Sequence, residues 1–228
     1  MPLLLFDTTY YPPATPGPVF ATTLVYGRVL NPDGSPAPRV VLQVAPDLPT
    51  RVAPGAQHGI ALATRACTVT TAADGSFSFP VANTGAALGF QVACRVSGPG
   101  IQYRFVIMPG FAFWCLPGAP LVAPPTWSSP TTCAVSGTIS TPTGQALSTL
   151  SVEYPTGRNP LLVDGSIVRQ DPLAVAVASD GSFTTPLLYS SLFSLPNVRA
   201  LVKSSGLTLY FATPSATTAR LEDHARLG

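Results

Sequence analysis

One strand-and-turn pattern occurs twice in this chain, and that doubling constrains the fold more than any other feature. The first copy opens at Gly27, with Pro32 five residues on and Gly34 seven on; Gly137, Pro142 and Gly144 repeat the spacing. Farther along, Asp74-Gly75-Ser76-Phe77 is matched by Asp180-Gly181-Ser182-Phe183. Twenty-five residues past the glycine of each motif another glycine, Gly100 or Gly206, opens an apolar run. Four landmarks in one order define an internal repeat of roughly a hundred residues.

Each landmark has a local physical meaning. Residues 24–30 alternate as a short strand, and Asn31-Pro32-Asp33-Gly34 forms a turn. Proline presets φ there, Asp tolerates the next position and Gly accepts a left-handed exit. Residues 40–44 return as a strand, 67–71 and 77–79 flank Asp74-Gly75 as a hairpin, and 90–96 and 103–107 complete the unit. The second copy supplies strands over 135–139, 150–154, 173–177, 183–185, 198–202 and 207–211. Six or seven short strands per hundred residues, divided by Gly and Pro, predict a β-sandwich. No segment sustains a helical period.

The pattern G-x-V-x-x-P-x-G, followed by Asp-Gly-Ser-Phe and a pair of alternating strands, resembles the carboxypeptidase-regulatory-like domains of the transthyretin-like (prealbumin-like) sandwich group. The resemblance covers residues 23–109 and 133–214, and its motifs form turns, so it implies a fold and not an activity. The fold expected is all-β: two tandem transthyretin-like antiparallel sandwiches with an extended N-terminal arm and a Pro/aromatic-rich linker. The arm is placed at 1–22, the first sandwich at 23–109, the linker at 110–132, the second sandwich at 133–214 and a polar tail at 215–228. Leu221 to Arg226 is expected to form at most a short solvated helix.

Charged residues make up 10% of the chain and prolines number 26 of 228. Such a surface, against about 25% charge in ordinary domains, fits burial between subunits. The net charge is +2 with the arginines scattered, so no basic stripe exists and nucleic acid is not an expected partner. No apolar run reaches the ~20 residues of a membrane helix. Residues 1–22 have no basic n-region and their apolar run Leu3 to Phe6 is short, so synthesis without a signal peptide, in a host cytoplasm, is expected. Their prolines favour extended backbone, and Leu3, Leu4, Leu5, Phe6, Tyr10, Tyr11 and Phe20 give an arm expected to dock, on its own domain or on a neighbouring subunit, with the neighbour favoured because both repeats are complete without it.

The linker holds both tryptophans, Trp114 and Trp127, and is expected to pack between the sandwiches; a platform for sugar rings is the functional alternative. The loops 45–65, with Asp47, Arg51 and His58, and 155–171, with Arg158, Asp164 and Arg169, are further places for binding residues. Cys67 and Cys94 align with Leu173 and Ala200 of the second copy, on the inward parity of their strands. Buried thiols and a Cys67–Cys94 bridge both fit that. Cys115 and Cys133 bracket the linker, where a bridge would staple it. No zinc spacing occurs.

Acid–base chemistry is sparse: two histidines (His58, His224), two glutamates (Glu153, Glu222) and one lysine (Lys203). A catalytic triad would have to recruit His58, with no G-x-S-x-G elbow to support it. Hydroxyisourate hydrolases of the transthyretin-like group rely on histidines and a Tyr-Arg-Gly-Ser terminus, neither matched here. The group's intradiol dioxygenases hold iron with two Tyr and two His, and its pilin domains use a Lys–Asn bond; Lys203 on a late strand does not suit the latter. The expectation is therefore a non-enzymatic, cofactor-free component of a larger assembly. The chain resembles phage virion proteins of the head-decoration, collar or tail kind, with other subunits or its own copies as partners. The alternative is a surface adhesin or glycan-binding module.

Overall fold

Alternating side chains and turn glycines make strands along the whole described chain. The structure, a computed structural model, describes residues 22–46, 66–82, 92–107, 112–116, 118–141, 143–155, 161–195 and 198–227. The docking-arm residues (Leu3, Leu4, Leu5, Phe6, Tyr10, Tyr11, Phe20), Asp47, Arg51, His58 and Arg158 lie outside these.

The chain is all-β and divides into two compact units. One comprises residues 1–28 and 38–126, the other 29–37 and 127–228. In unit 1 the strands are β1 (Thr22–Leu30, which runs on into unit 2), β2 (Val41–Pro46), β3 (Cys67–Thr70), β4 (Ser76–Ala82), β5 (Val92–Gly98), β6 (Ile101–Ile107), β7 (Phe113–Cys115) and β8 (Ala119–Leu121). One sheet has the order β3-β2-β5-β6; in the other, β1 pairs antiparallel with β4 and parallel with β7, which β8 flanks. Unit 2 has β9 (Thr132–Thr138), β10 (Leu150–Glu153), β11 (Leu161–Val163), β12 (Ser166–Val168), β13 (Leu173–Val175), β14 (Ser182–Leu188), β15 (Ala200–Ser204), β16 (Leu207–Phe211), β17 (Thr218–Arg220), the helical turn α1 (Leu221–His224) and β18 (Ala225–Leu227). Its sheets run β14-β9-β17 and β13-β10-β15-β16-β18, with the β11–β12 hairpin beside the end of β1.

The two units pair their strands in the same registers. Gly27 faces Phe77 across β1–β4, and Gly137 faces Phe183 across β9–β14. Leu42 faces Val69 where Leu150 faces Val175, and Ser97 faces Gln102 where Lys203 faces Thr208. The glycine of the first landmark is explained by this register. A Cβ on Gly27 would lie 2.4 Å from Phe77 Cζ, and one on Gly137 3.1 Å from Phe183 Cε1. The Asp-Gly-Ser landmarks are side-chain-stabilised turns: Ser76 N–H and Oγ–H donate to Asp74 Oδ1 at 2.9 and 2.6 Å, and Ser182 does the same to Asp180 at 2.9 and 2.7 Å. These bonds hold both carboxyls below their ordinary pKa of 3.8.

The inward residues of each pair of sheets make the cores. Val25, Leu42, Val44, Phe79, Cys94 and Phe105 are buried in unit 1; Val135, Val152, Tyr154, Leu187 and Phe211 are buried in unit 2. Each large apolar side chain so removed from water stabilises by about 1.5–3 kcal/mol.

Three expectations are corrected. Phe113–Cys115 and Ala119–Leu121, read as linker, form a hairpin on β1, and Leu24 N–H donates to Ala112 O at 2.9 Å. The tail likewise supplies β17 beside β9, with Ala134 N–H donating to Thr217 O at 2.9 Å and Leu221 buried. Part of the loop 155–171 is the hairpin β11–β12. Its two turn residues, Asp164 and Gly165, both have positive φ (46° and 75°), as a tight right-twisted hairpin requires.

Candidate functional site

Trp114 sits in the middle of β7, opposite Val25, and is buried, so its ring offers no face to a sugar. That corrects the platform expectation; Trp127 is half-buried. The Cys67–Cys94 bridge is excluded by topology. Their strands, β3 and β5, flank β2 on opposite sides, about 9.5 Å apart, whereas bridged Cα atoms lie within about 7 Å. None of the four cysteines forms a disulfide; burial pushes the thiols of Cys67, Cys115 and Cys133 upward, and Cys115 Sγ–H donates to Leu116 O at 3.2 Å.

Described residues of unit 2 form two surface depressions. An open groove of about 730 Å³ lies along β9 and β14, lined by hydroxyls such as Ser136, Thr138, Ser182 and Thr184, with Arg220 and Glu222 at one end. Those two side chains stand 3.9 Å apart and are largely exposed, a geometry worth little in water. A smaller cavity of about 230 Å³ gathers Arg199, Tyr210, Asp223 and His224. The His224 ring meets Phe211 edge-on, with centroids 5.9 Å apart. Among the described residues no hydroxyl or thiol is bonded to that imidazole, and no three His, Cys, Asp or Glu side chains gather as metal ligands. Lys203 is ion-paired with Glu153 on the outer face of the sheet. Arg169 of the second loop bonds Asp171 Oδ2 at 2.5 Å and Asn31 Oδ1 at 3.3 Å, both within unit 2.

What the units do present is sheet edge. Leu24 and Ala134 point their N–H groups at Ala112 and Thr217, away from β4 and β14. Their partners Pro80 and Pro186 therefore occupy positions whose N–H would project outward, and proline removes that donor in both units. The edges of the second sheets differ. In unit 2, β16 is paired on both sides, by β15 and by β18. In unit 1, β6 pairs with β5 alone among the described strands. The repeated proline, four residues past each Asp-Gly-Ser-Phe serine, was available in the sequence as a further landmark.

Against known proteins, the chain matches no protein-family model and no curated protein.

Proposed function

We propose that the chain is a non-enzymatic structural protein of a larger assembly, a phage virion component of the head-decoration, collar or tail kind. Residues 1–22 attach it to neighbouring subunits, and the two β units, each rigid in itself, act as a spacer. The observation that carries this reading is the low charge of the chain, 10% of its residues, beside an apolar and aromatic segment at Leu3 to Phe20. A partner surface gives a use to the side chains of Leu3, Leu4, Leu5, Phe6, Tyr10, Tyr11 and Phe20. The Gly-x-Val…Pro-x-Gly resemblance supports the same reading. The glycan-binding alternative loses support with the burial of Trp114.

Light scattering after size exclusion, on the full chain and on one lacking residues 1–21, tests the reading. The full chain is expected to assemble, and the shortened one to be a monomer with an unchanged far-ultraviolet spectrum. An unfolded shortened chain would make the arm a core strand and end this account. So would two monomers.

A further inference from the structure

We infer that Asp164-Gly165, the turn of the β11–β12 hairpin, is a site of covalent self-modification, where the Gly165 nitrogen closes on the Asp164 side chain and the ring reopens as isoaspartate.

The reaction needs no partner but water. The backbone nitrogen of the glycine attacks Cγ of the preceding aspartic acid and a C–N bond forms. A carboxyl oxygen leaves as water, and the amide proton passes to solvent. Hydrolysis of the resulting five-membered succinimide then opens one of two bonds. Water adding at the side-chain carbonyl restores aspartate, whereas water adding at the main-chain carbonyl leaves the chain running through Cβ with the α-carboxylate as a branch. One water is lost and one gained, and nothing is oxidised or reduced. Glycine favours closure because no Cβ shields its nitrogen or restricts its φ. Hydrogen bonds on the carboxyl group or on the glycine N–H oppose it, since they must break first.

Four Asp-Gly-Ser tripeptides occur in the chain, beginning at Asp33, Asp74, Asp164 and Asp180. Their sequences are identical, so only the fold can separate them. In three, both reacting groups are tied. Asp33 Oδ1 accepts from Ser35 N–H and Oγ–H at 2.9 and 2.6 Å, and Gly34 N–H donates to Asn31 O at 2.9 Å. Ser76 and Ser182 hold Asp74 and Asp180 in the same way, while Gly75 N–H donates to Ala72 O at 3.0 Å and Gly181 N–H to Ala178 O at 2.9 Å. Those serine bonds also lower the pKa of Asp74 and Asp180, and a carboxylate anion is a poorer electrophile than the acid.

The fourth tripeptide folds differently. Ser166 is already in the ladder, paired with Val163, so Asp164 and Gly165 make a two-residue turn by themselves, both at positive φ. Among the described residues no group bonds the Asp164 carboxylate, and none accepts from Gly165 N–H. Access to water is not the difference, because Asp74, Asp164 and Asp180 are all exposed. The product has a consequence for unit 2. Isoaspartate adds one carbon to the backbone of a loop whose length sets the hairpin register. That hairpin buries Val163, Ile167 and Val168, and its second strand pairs with Val29 and Leu30.

Peptide mapping of the full chain, stored warm at mildly acidic pH both folded and in urea, tests the inference; enzymatic methylation of isoaspartyl carboxylates marks the product. In urea the four sites should react at similar rates. In the folded chain isoaspartate should accumulate at Asp164 about tenfold or more faster than at Asp33, Asp74 or Asp180, because two carboxylate bonds and one N–H bond must break at each of those. Ser182→Ala removes one of the bonds to Asp180 and should raise modification there about threefold, with Asp164 unchanged. Hydrogen exchange on the aged chain should show the amides of Val163 and Ser166 losing protection. Isoaspartate appearing at Asp74 or Asp180 as fast as at Asp164 in the folded chain would overturn the inference. An Asp164 that stays unmodified in the folded chain, whatever the urea sample does, would overturn it as well.

Discussion

Gly27 and Gly137 do the same job with different tolerances. Both leave room for the phenylalanine of the Asp-Gly-Ser-Phe turn, but a Cβ on Gly27 would fall 2.4 Å from Phe77 Cζ, far inside contact distance. On Gly137 the nearest atoms are Leu221 Cβ at 3.0 Å and Phe183 Cε1 at 3.1 Å, distances that small shifts relieve. Replacing a strand glycine by alanine also stabilises by about 0.5–1 kcal/mol through the unfolded chain. Overpacking a core costs about 1–3 kcal/mol, so the clash wins at Gly27 and the two effects nearly cancel at Gly137. Urea unfolding should therefore show Gly27→Ala clearly destabilised and Gly137→Ala within about 1 kcal/mol of the wild type. Equal losses would mean that the Phe77 ring can move aside. Glycines, prolines and Asp-Gly-Ser turns were legible in the sequence because each acts through its own backbone or its near neighbours. The burial of Trp114 was not, since a prolyl-flanked tryptophan reads the same whether its strand is paired or free.

Short strands are harder to read, and the reason lies in what holds them. β7 and β17 add to β1 and β9 in the same register, yet Phe113-Trp114-Cys115 and Thr218-Ala219-Arg220 share no residue type. Three-residue strands owe their pairing to the neighbour's exposed backbone, with little demand on side chains, and only the buried leucines that follow, Leu116 and Leu221, betray the match. The β11–β12 hairpin did carry its signal, Asp164-Gly165 between Leu161-Leu162-Val163 and Ser166-Ile167-Val168. Its shortness hid it in a loop. The edge prolines make a sharper argument. Pro80 and Pro186 deny an outward donor to strands of seven residues each, β4 and β14, whose exposed edges would otherwise template association. Pro80→Val and Pro186→Val should both remain folded, because neither position donates to β1 or β9, but should aggregate as they are concentrated. Light scattering with circular dichroism checks this; variants as soluble as the wild type would show that the edges are protected by something else.

The repeats of the sequence and the compact units of the structure do not share a boundary. The first repeat begins in unit 1, yet Val29 to Ala37, including its Asn31–Gly34 turn, belongs to unit 2. There Val29 and Leu30 pair in parallel with Ile167 and Val168, Arg169 N–H donates to Leu30 O at 2.9 Å, and a Cβ on Gly34 would meet Thr132 Cγ2 at 2.8 Å. The equivalent turn of the second repeat has open space at Gly144. One strand, β1, thus has Val25 buried in one unit and Leu30 buried in the other, so losses at its end should register in a unit about 100 residues further along the chain. Leu30 is fully buried, and Leu30→Ala should cost about 2–5 kcal/mol. Hydrogen exchange locates that cost: amides of β12 and β9 should lose protection, while those of β5 and β6 keep theirs. Loss confined to β2, β5 and β6 would place Leu30 in unit 1 and dissolve the division of β1.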